Sequence, residues 1–217
     1  MKQLKKTKNI LILLVISSLW QCSLFNKTEK DKTAENFLIF SLLQSSLCTL
    51  NGESFIVSGE INCSNNEASA TGKLIATSEK EVVSLEITGT LNDNTSEIKI
   101  IGGADDNLNG SGFRFGVNIA KAFHPDGTSG GVDMTTGFAP SSGNFTHCLE
   151  IHTDETPPHL VAWKNNCPSS GQSSADYDSE SNNDPGGTSG KKGNRWGIEL
   201  KNAKIKIKIN TQTIFSH

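Results

Sequence analysis

The sequence predicts a mainly β protein: a disulfide-stapled antiparallel β-sandwich, jelly-roll-like, with one short N-terminal helix. Three observations carry this. Short runs alternate apolar and polar residues with period two, as strands half-buried against a core do. The connectors between them are rich in Gly, Asn, Asp and Ser, which supply turns. Five cysteines are present, and four of them remain to pair once the first, Cys22, is assigned to a processing site.

That assignment rests on the first 22 residues. Lys2, Lys5, Lys6 and Lys8 precede an apolar run from Ile10 to Leu19, followed by Trp20, Gln21 and Cys22. A basic start and a short apolar stretch make a secretory signal, and the stretch is shorter than the roughly 20 residues a membrane-spanning helix needs. Leu19 stands three residues before Cys22, which resembles the bacterial lipoprotein signal. Trp20 and Gln21 replace the small residues of the strict pattern, as in the looser signals of spirochaete-like lipoproteins. The resemblance implies that residues 1–21 are removed and that Cys22 is lipidated. It further implies attachment to the bacterial envelope, at the outer membrane. Losing the four lysines leaves 16 basic against 23 acidic residues, a net charge of −7. Such a chain is no nucleic-acid binder, which would need a basic excess. Its membrane partner is reached through acyl chains, at about 0.8 kcal/mol per buried CH₂.

Residues 22–34 read as the lipidated end and a solvated tether. Residues 35–217 read as a single domain, long enough for a core. Glu35 to Leu47 places Phe37, Phe40, Leu43 and Leu47 near one face at helical spacing. Strand-like runs follow at Phe55–Ile61, Lys73–Ala76, Val82–Thr88, Glu97–Ile101, Gly112–Ile119 and Phe145–Ile151. In the third, Val82, Leu85 and Ile87 do not alternate cleanly, so a bulge or burial on both faces is expected. The C-terminus reads as a hairpin, Arg195–Lys201 and Lys204–Asn210, turning at Asn202-Ala203 and pairing Leu200 with Ile205 and Glu199 with Lys206. One long bulged strand is the rival. Lys204, Lys206 and Lys208 form its outer face, read as a solvated face guarding an edge strand.

Cysteines in an exported chain pair, and the local pairing Cys48–Cys63 and Cys148–Cys167 is expected. The midpoint of the second pair falls at Pro157-Pro158, where a hairpin should turn.

Two segments suggest calcium. Asp105 to Gly110 fits D-x-N-x-N-G and resembles the first half of an EF-hand-like loop, with Asp105, Asn107 and Asn109 as ligands. Its twelfth position is Gly116, so the bidentate acid is missing, and ordinary turns share this composition. Asp176, Asp178 and Glu180 alternate through a polar loop, 168–194, that is long enough to be functional. A second long loop, 124–144, contains Asp126. Together the loops are the expected ligand contact.

The densest run of titratable groups is His147 to Glu155. On a strand, Cys148, Glu150, His152 and Asp154 share one face, and His147, Leu149 and Ile151 the other. His152 and Asp154 become candidate contacts, for a metal or a ligand, on a polar face expected to meet solvent. Glu150 and Glu155 also match the outer acids of the E-x-D-x-x-E strand of jelly-roll glycosidases, with His152 where Asp stands. That resemblance implies a nucleophile at Glu150 and an acid/base at Glu155. No P-loop, dinucleotide fingerprint, zinc-protease or nucleophile-elbow motif occurs. The leading expectation is therefore a surface binding or adhesion module without enzymatic activity, recognising a glycan, a host protein or an envelope partner. A glycan hydrolase and a purely structural envelope protein are the alternatives.

Overall fold

The computed structural model describes residues 47–141, 143–182, 184–188 and 191–216. The signal, Cys22, the tether and all of the expected helix except Leu47 lie outside them. Leu47 itself opens a strand.

The described residues form twelve strands and no helix: β1 (Leu47–Leu50), β2 (Glu53–Ser64), β3 (Glu67–Ala76), β4 (Val82–Leu91), β5 (Glu97–Ala104), β6 (Ser111–Gly116), β7 (Ile119–Phe123), β8 (Val132–Asp133), β9 (Gly143–His152), β10 (His159–Lys164), β11 (Tyr177–Asp178) and β12 (Arg195–Ile209). All pair antiparallel in one curled sheet. The expected run 112–119 breaks at Val117-Asn118, because Asn118 takes a left-handed φ of 57° and turns β6 into β7.

β12 organises everything. One edge pairs with β3 along its length. The other edge pairs first with β5 and then with β4. The sheet therefore forks into two leaves, β5-β6-β7-β8 and β4-β9-β10-β11. Their inner faces pack as a sandwich. Phe113 of β6 meets Tyr177 of β11 at a centroid distance of 6.3 Å, and Phe115 meets Phe145 of β9 at 5.2 Å. Trp196, fully buried, packs edge-on against Phe55 at the junction. In β4, Val83, Ser84 and Leu85 are all buried, the two-sided burial that its broken alternation suggested.

The C-terminal hairpin is corrected to the long bulged strand. A type I′ turn needs positive φ at both central residues, but only Asn202 adopts it, at 45°. Asn202 is a bulge pinned on three sides. Its N–H donates to Thr71 Oγ1 (3.0 Å), its Nδ2 to Asp93 Oδ2 (2.6 Å), and its carbonyl accepts from Ser96 Oγ (2.7 Å). Leu200 consequently pairs with Gly72 and Ile98, not Ile205, and Glu199 with Lys73 and Lys99, not Lys206. β12 is also central, so its exposed lysines guard no edge. Lys204 and Lys206 pair instead with Glu67 on β3.

The same row turns a corner in β2. Cys48 is the register partner of Phe55, eight residues before Cys63, which in a straight strand would put the two about 26 Å apart. Their disulfide brings the Cα atoms to 5.7 Å, so the hairpin folds over. The fold occurs where Gly59 faces Gly72. A Cβ on Gly59, whose φ is +85°, would lie 2.8 Å from Gly72 Cα and 2.9 Å from the Thr71 carbonyl. Gly52 has nearly the same φ, +82°, with nothing within 4 Å. Gly52→Ala should cost about 1 kcal/mol of backbone strain, and Gly59→Ala about 1–2 kcal/mol more because backbone must shift. Urea midpoints measure the difference. Equal losses would show that the corner does not depend on this close approach.

Candidate functional site

β9 alternates as expected. His147, Leu149 and Ile151 face the inner core, and Cys148, Glu150 and His152 face the other way. His147 sits among Phe115, Phe138 and Phe145, and its Nε2–H donates to the Phe138 carbonyl (2.8 Å). Burial first, and Lys164 next to it, hold this imidazole neutral and push its pKa down.

The opposite face does not meet solvent, which corrects the expected exposed polar strand. Residues 211–216 lie across it as a strap. Gly171 and Gln172 each donate an N–H to the Ile214 carbonyl at 2.8 Å, and Ser216 N–H donates back to Gln172. Ile214 and Phe215 close an apolar cluster with Cys148, Val161 and Trp163. Glu150, fully buried beneath the strap, accepts from Ile214 N at Oε1 (2.7 Å), and from Phe215 N (2.9 Å) and His152 Nε2 (3.2 Å) at Oε2. Burial works to raise its pKa, but hydrogen bonds from His152, Ser84 and the two strap amides outweigh it and hold the carboxyl below its ordinary range. Glu150 is thus an ionised structural anchor. Enclosed this way it has no path to a sugar, and the jelly-roll-glycosidase resemblance loses its nucleophile.

β10 returns antiparallel through a connection containing a cis Thr156-Pro157 bond. The register pairs His152 with His159 and Cys148 with Trp163. The hairpin is therefore centred between Glu155 and Thr156, not at Pro157-Pro158. Cys167 still reaches Cys148, at a Cα distance of 4.8 Å, because the chain leaves β10 and turns at Asn165. Both expected disulfides are present.

At the turn end of this hairpin lies a cluster. His159 Nε2 is hydrogen-bonded to Asp178 Oδ1 (2.9 Å), and its Nδ1 is 4.0 Å from Glu155 Oε2. Asp178 also caps a turn, accepting from Glu180 N (2.9 Å). Burial opposes ionisation there, but the His159 and turn hydrogen bonds prevail and lower its pKa. Donor atoms of His152, Asp154 and Glu155 all fall within 4.8 Å of one another, and so do those of Glu155, His159 and Glu180. His159 was not among the residues singled out from sequence. Only the hairpin register places it opposite His152.

The other expected calcium segment is self-contained. Asp105 Oδ1 accepts from the Asn107 and Asn109 amides, and its Oδ2 from Asn109 Nδ2 (2.9 Å), an Asx-type turn. These Asn109 and Asn107 bonds lower the Asp105 pKa despite some desolvation. Arg195 and Lys73 meet the same loop, at Asp106 and the Asn107 carbonyl. Nothing among the described residues joins Asp105, Asn107 and Asn109 to Asp176, Asp178 and Glu180 in one cluster. Asp176 instead accepts from the Lys164 amide.

The two long loops do touch. Thr128 N–H donates to the Pro185 carbonyl and Thr135 Oγ1 to the Asp176 carbonyl, both at 2.7 Å. Asp126 lies against Gly187. Beside them, a groove of about 430 Å³ opens over Lys73, Lys99 and Arg114, walled by Phe123, His124 and the glycine-rich turn 127–131. Lys99 bridges Glu97 and Glu199 (both 3.3 Å), and Arg114 pairs with Glu97. No protein-family model matches the chain, and no curated protein matches it significantly.

Proposed function

We propose that the chain is an exported bacterial envelope protein, lipid-anchored through Cys22, that binds a ligand through its loop surface. The supporting observation is the groove where loop 124–131 stands over three cationic side chains. Long loops on a rigid sheet are where binding is usually built. Lys99 and Arg114 are balanced by Glu97 and Glu199, while Lys73 donates to the Asn107 carbonyl, so an acidic ligand such as a carboxylate-bearing glycan can exchange one anionic partner for another. The two disulfides fit an oxidising compartment outside the cytoplasm.

Glycan and matrix-protein arrays probed with the intact protein test the reading. An acidic glycan should score, and Lys73→Ala with Lys99→Ala should cut that signal by about tenfold or more, the scale of losing charge-assisted contacts. Binding indifferent to both changes would remove the groove. The anchor is tested separately: labelled fatty acid should enter the wild type and not Cys22→Ala.

A further inference from the structure

We propose that the outer face of the sheet around the groove rests on a lipid bilayer, with an anionic lipid headgroup as the acidic ligand. The inference rests on the groove taking an acid, as proposed above. It names that acid as part of a membrane surface instead of a free glycan.

The strand register draws two parallel rows across this face. Leu47 and Ile56, 67% and 40% exposed, are the only exposed large hydrophobic residues among those described, and they are direct cross-strand partners. Ile56 pairs on with Ile75, Ile75 with Gly197, and Gly197 with Ile101. Ile101 pairs with Gly112, and Gly112 with Phe123. Residues directly opposite share a face, so this is one apolar row running from β1 to β7, roughly 29 Å along the sheet at about 4.8 Å per strand. Leu108 fills the gap at Gly197, where an added Cβ would lie 2.8 Å from its Cδ2. Ile75, Leu108, Ile101 and Phe123 pack together apart from the main core. Two residues along each strand, about 7 Å away, runs a charged row. It consists of Lys73, Glu199, Lys99, Arg114 and Lys121, each the register partner of the next. The groove lies where the rows run side by side: Ile101, Leu108 and Phe123 line it together with Lys73, Lys99 and Arg114.

An apolar row flanked by cations is complementary to a bilayer surface. Apolar side chains enter the headgroup and acyl boundary while Lys and Arg meet anionic headgroups. A free acidic sugar would use the cations and leave Leu47 and Ile56 bare. The positive charge is local, since the chain as a whole carries a net charge of −3. Lys99 is shared between Glu97 and Glu199, and Lys73 donates to a carbonyl and not a carboxylate, so a headgroup phosphate gains both. The chain also enters the described domain at Leu47. Whatever holds the N-terminal segment, with its apolar run Ile10 to Leu19 and Cys22, at a membrane therefore pulls on the domain at the exposed end of the apolar row.

The test reconstitutes the full-length protein into vesicles of phosphatidylcholine alone and of phosphatidylcholine mixed with phosphatidylglycerol, and follows backbone hydrogen exchange. Exchange in β1, the start of β2 and the turn 127–131 should be slower in the anionic vesicles by about fivefold or more, the scale of one lysine's attraction to an anionic leaflet. Leu47→Ser with Ile56→Thr should abolish the slowing, and so should Lys73→Ala with Lys99→Ala. Exchange in β4 and β9, equal in wild type and variants, reports the intact fold. Equal exchange in the two kinds of vesicle overturns the proposal, as does a slowing that survives Leu47→Ser with Ile56→Thr. Soluble glycerol phosphate, added in detergent, separates this failure from that of the groove. If it slows the turn 127–131 while anionic vesicles do not, the groove stands and the bilayer contact falls. If neither has an effect, both fall.

Discussion

Glu150→Ala should unfold the protein about 3–5 kcal/mol more easily than wild type, the range for breaking a buried charged network from one side. The substitution removes the acceptor for the Ile214 and Phe215 amides and for His152. All three donors belong to buried residues. At about 2–4 °C per kcal/mol for a domain of this size, the melting temperature should drop by roughly 10 °C. Glu150→Gln preserves the volume but turns an NH₂ toward one set of donors, so it should lose about half as much. Hydrogen exchange at Ile214 and Phe215 should rise in both. A loss under about 1 kcal/mol would show that the strap is held by its apolar contacts alone.

The same carboxylate sets an acid limit. Its folded pKa lies below the ordinary 4.5, so the unfolded chain binds the proton first as pH falls. The stabilisation is present above about pH 4.5 and is lost as pH falls through the lower folded value. In Glu150→Ala that part of the acid slope should flatten. An earlier decline begins below the ordinary histidine pKa of 6.5, because burial keeps His124 and His147 neutral in the fold while the unfolded chain takes up protons. Denaturant midpoints at stepped pH separate the two, since the histidine slope should survive in Glu150→Ala.

What was legible in the sequence followed from local rules. Alternation placed β2 to β5 and β9, and it sorted His147, Leu149 and Ile151 from Cys148, Glu150 and His152. Such sorting says which residues share a face, not what covers the face. Glu150 looked solvent-facing because its cover, Ile214 and Phe215, is 64 and 65 residues away. Asn202-Ala203 looked like a turn because period two changes phase there, and a bulge changes phase in the same way. The three partners that select the bulge, Thr71, Asp93 and Ser96, are all distant in sequence. His159 was hidden for a similar reason. A hairpin centre two residues away from the prolines decides whether it meets His152, and composition does not fix that register.

Cysteine removal should reveal how far the strap and the second disulfide act as one unit. Cys148→Ala with Cys167→Ala opens a loop of sequence separation 19, worth about 3 kcal/mol through the unfolded chain. Cys48→Ala with Cys63→Ala opens a separation of 15, worth nearly the same, about 3 kcal/mol. The native contexts differ. Cys63 is exposed near the tip of the β2–β3 hairpin, so losing its bridge frees that tip. Cys148 is fully buried beside Val161, Trp163, Ile214 and Phe215, and the Cys167 amide donates to Glu86 Oε2 (3.0 Å). Removing this second bridge should therefore loosen the lid over Glu150 as well as lengthen the unfolded chain. Combined with Glu150→Ala, it should cost less than the sum of the separate losses, by more than about 0.5 kcal/mol, the mark of sites sharing one network. The Cys48–Cys63 removal should add to Glu150→Ala without such coupling. Strict additivity for both pairs, read from urea midpoints of the single and combined variants, would mean that the bridge and the buried carboxylate hold the strap independently.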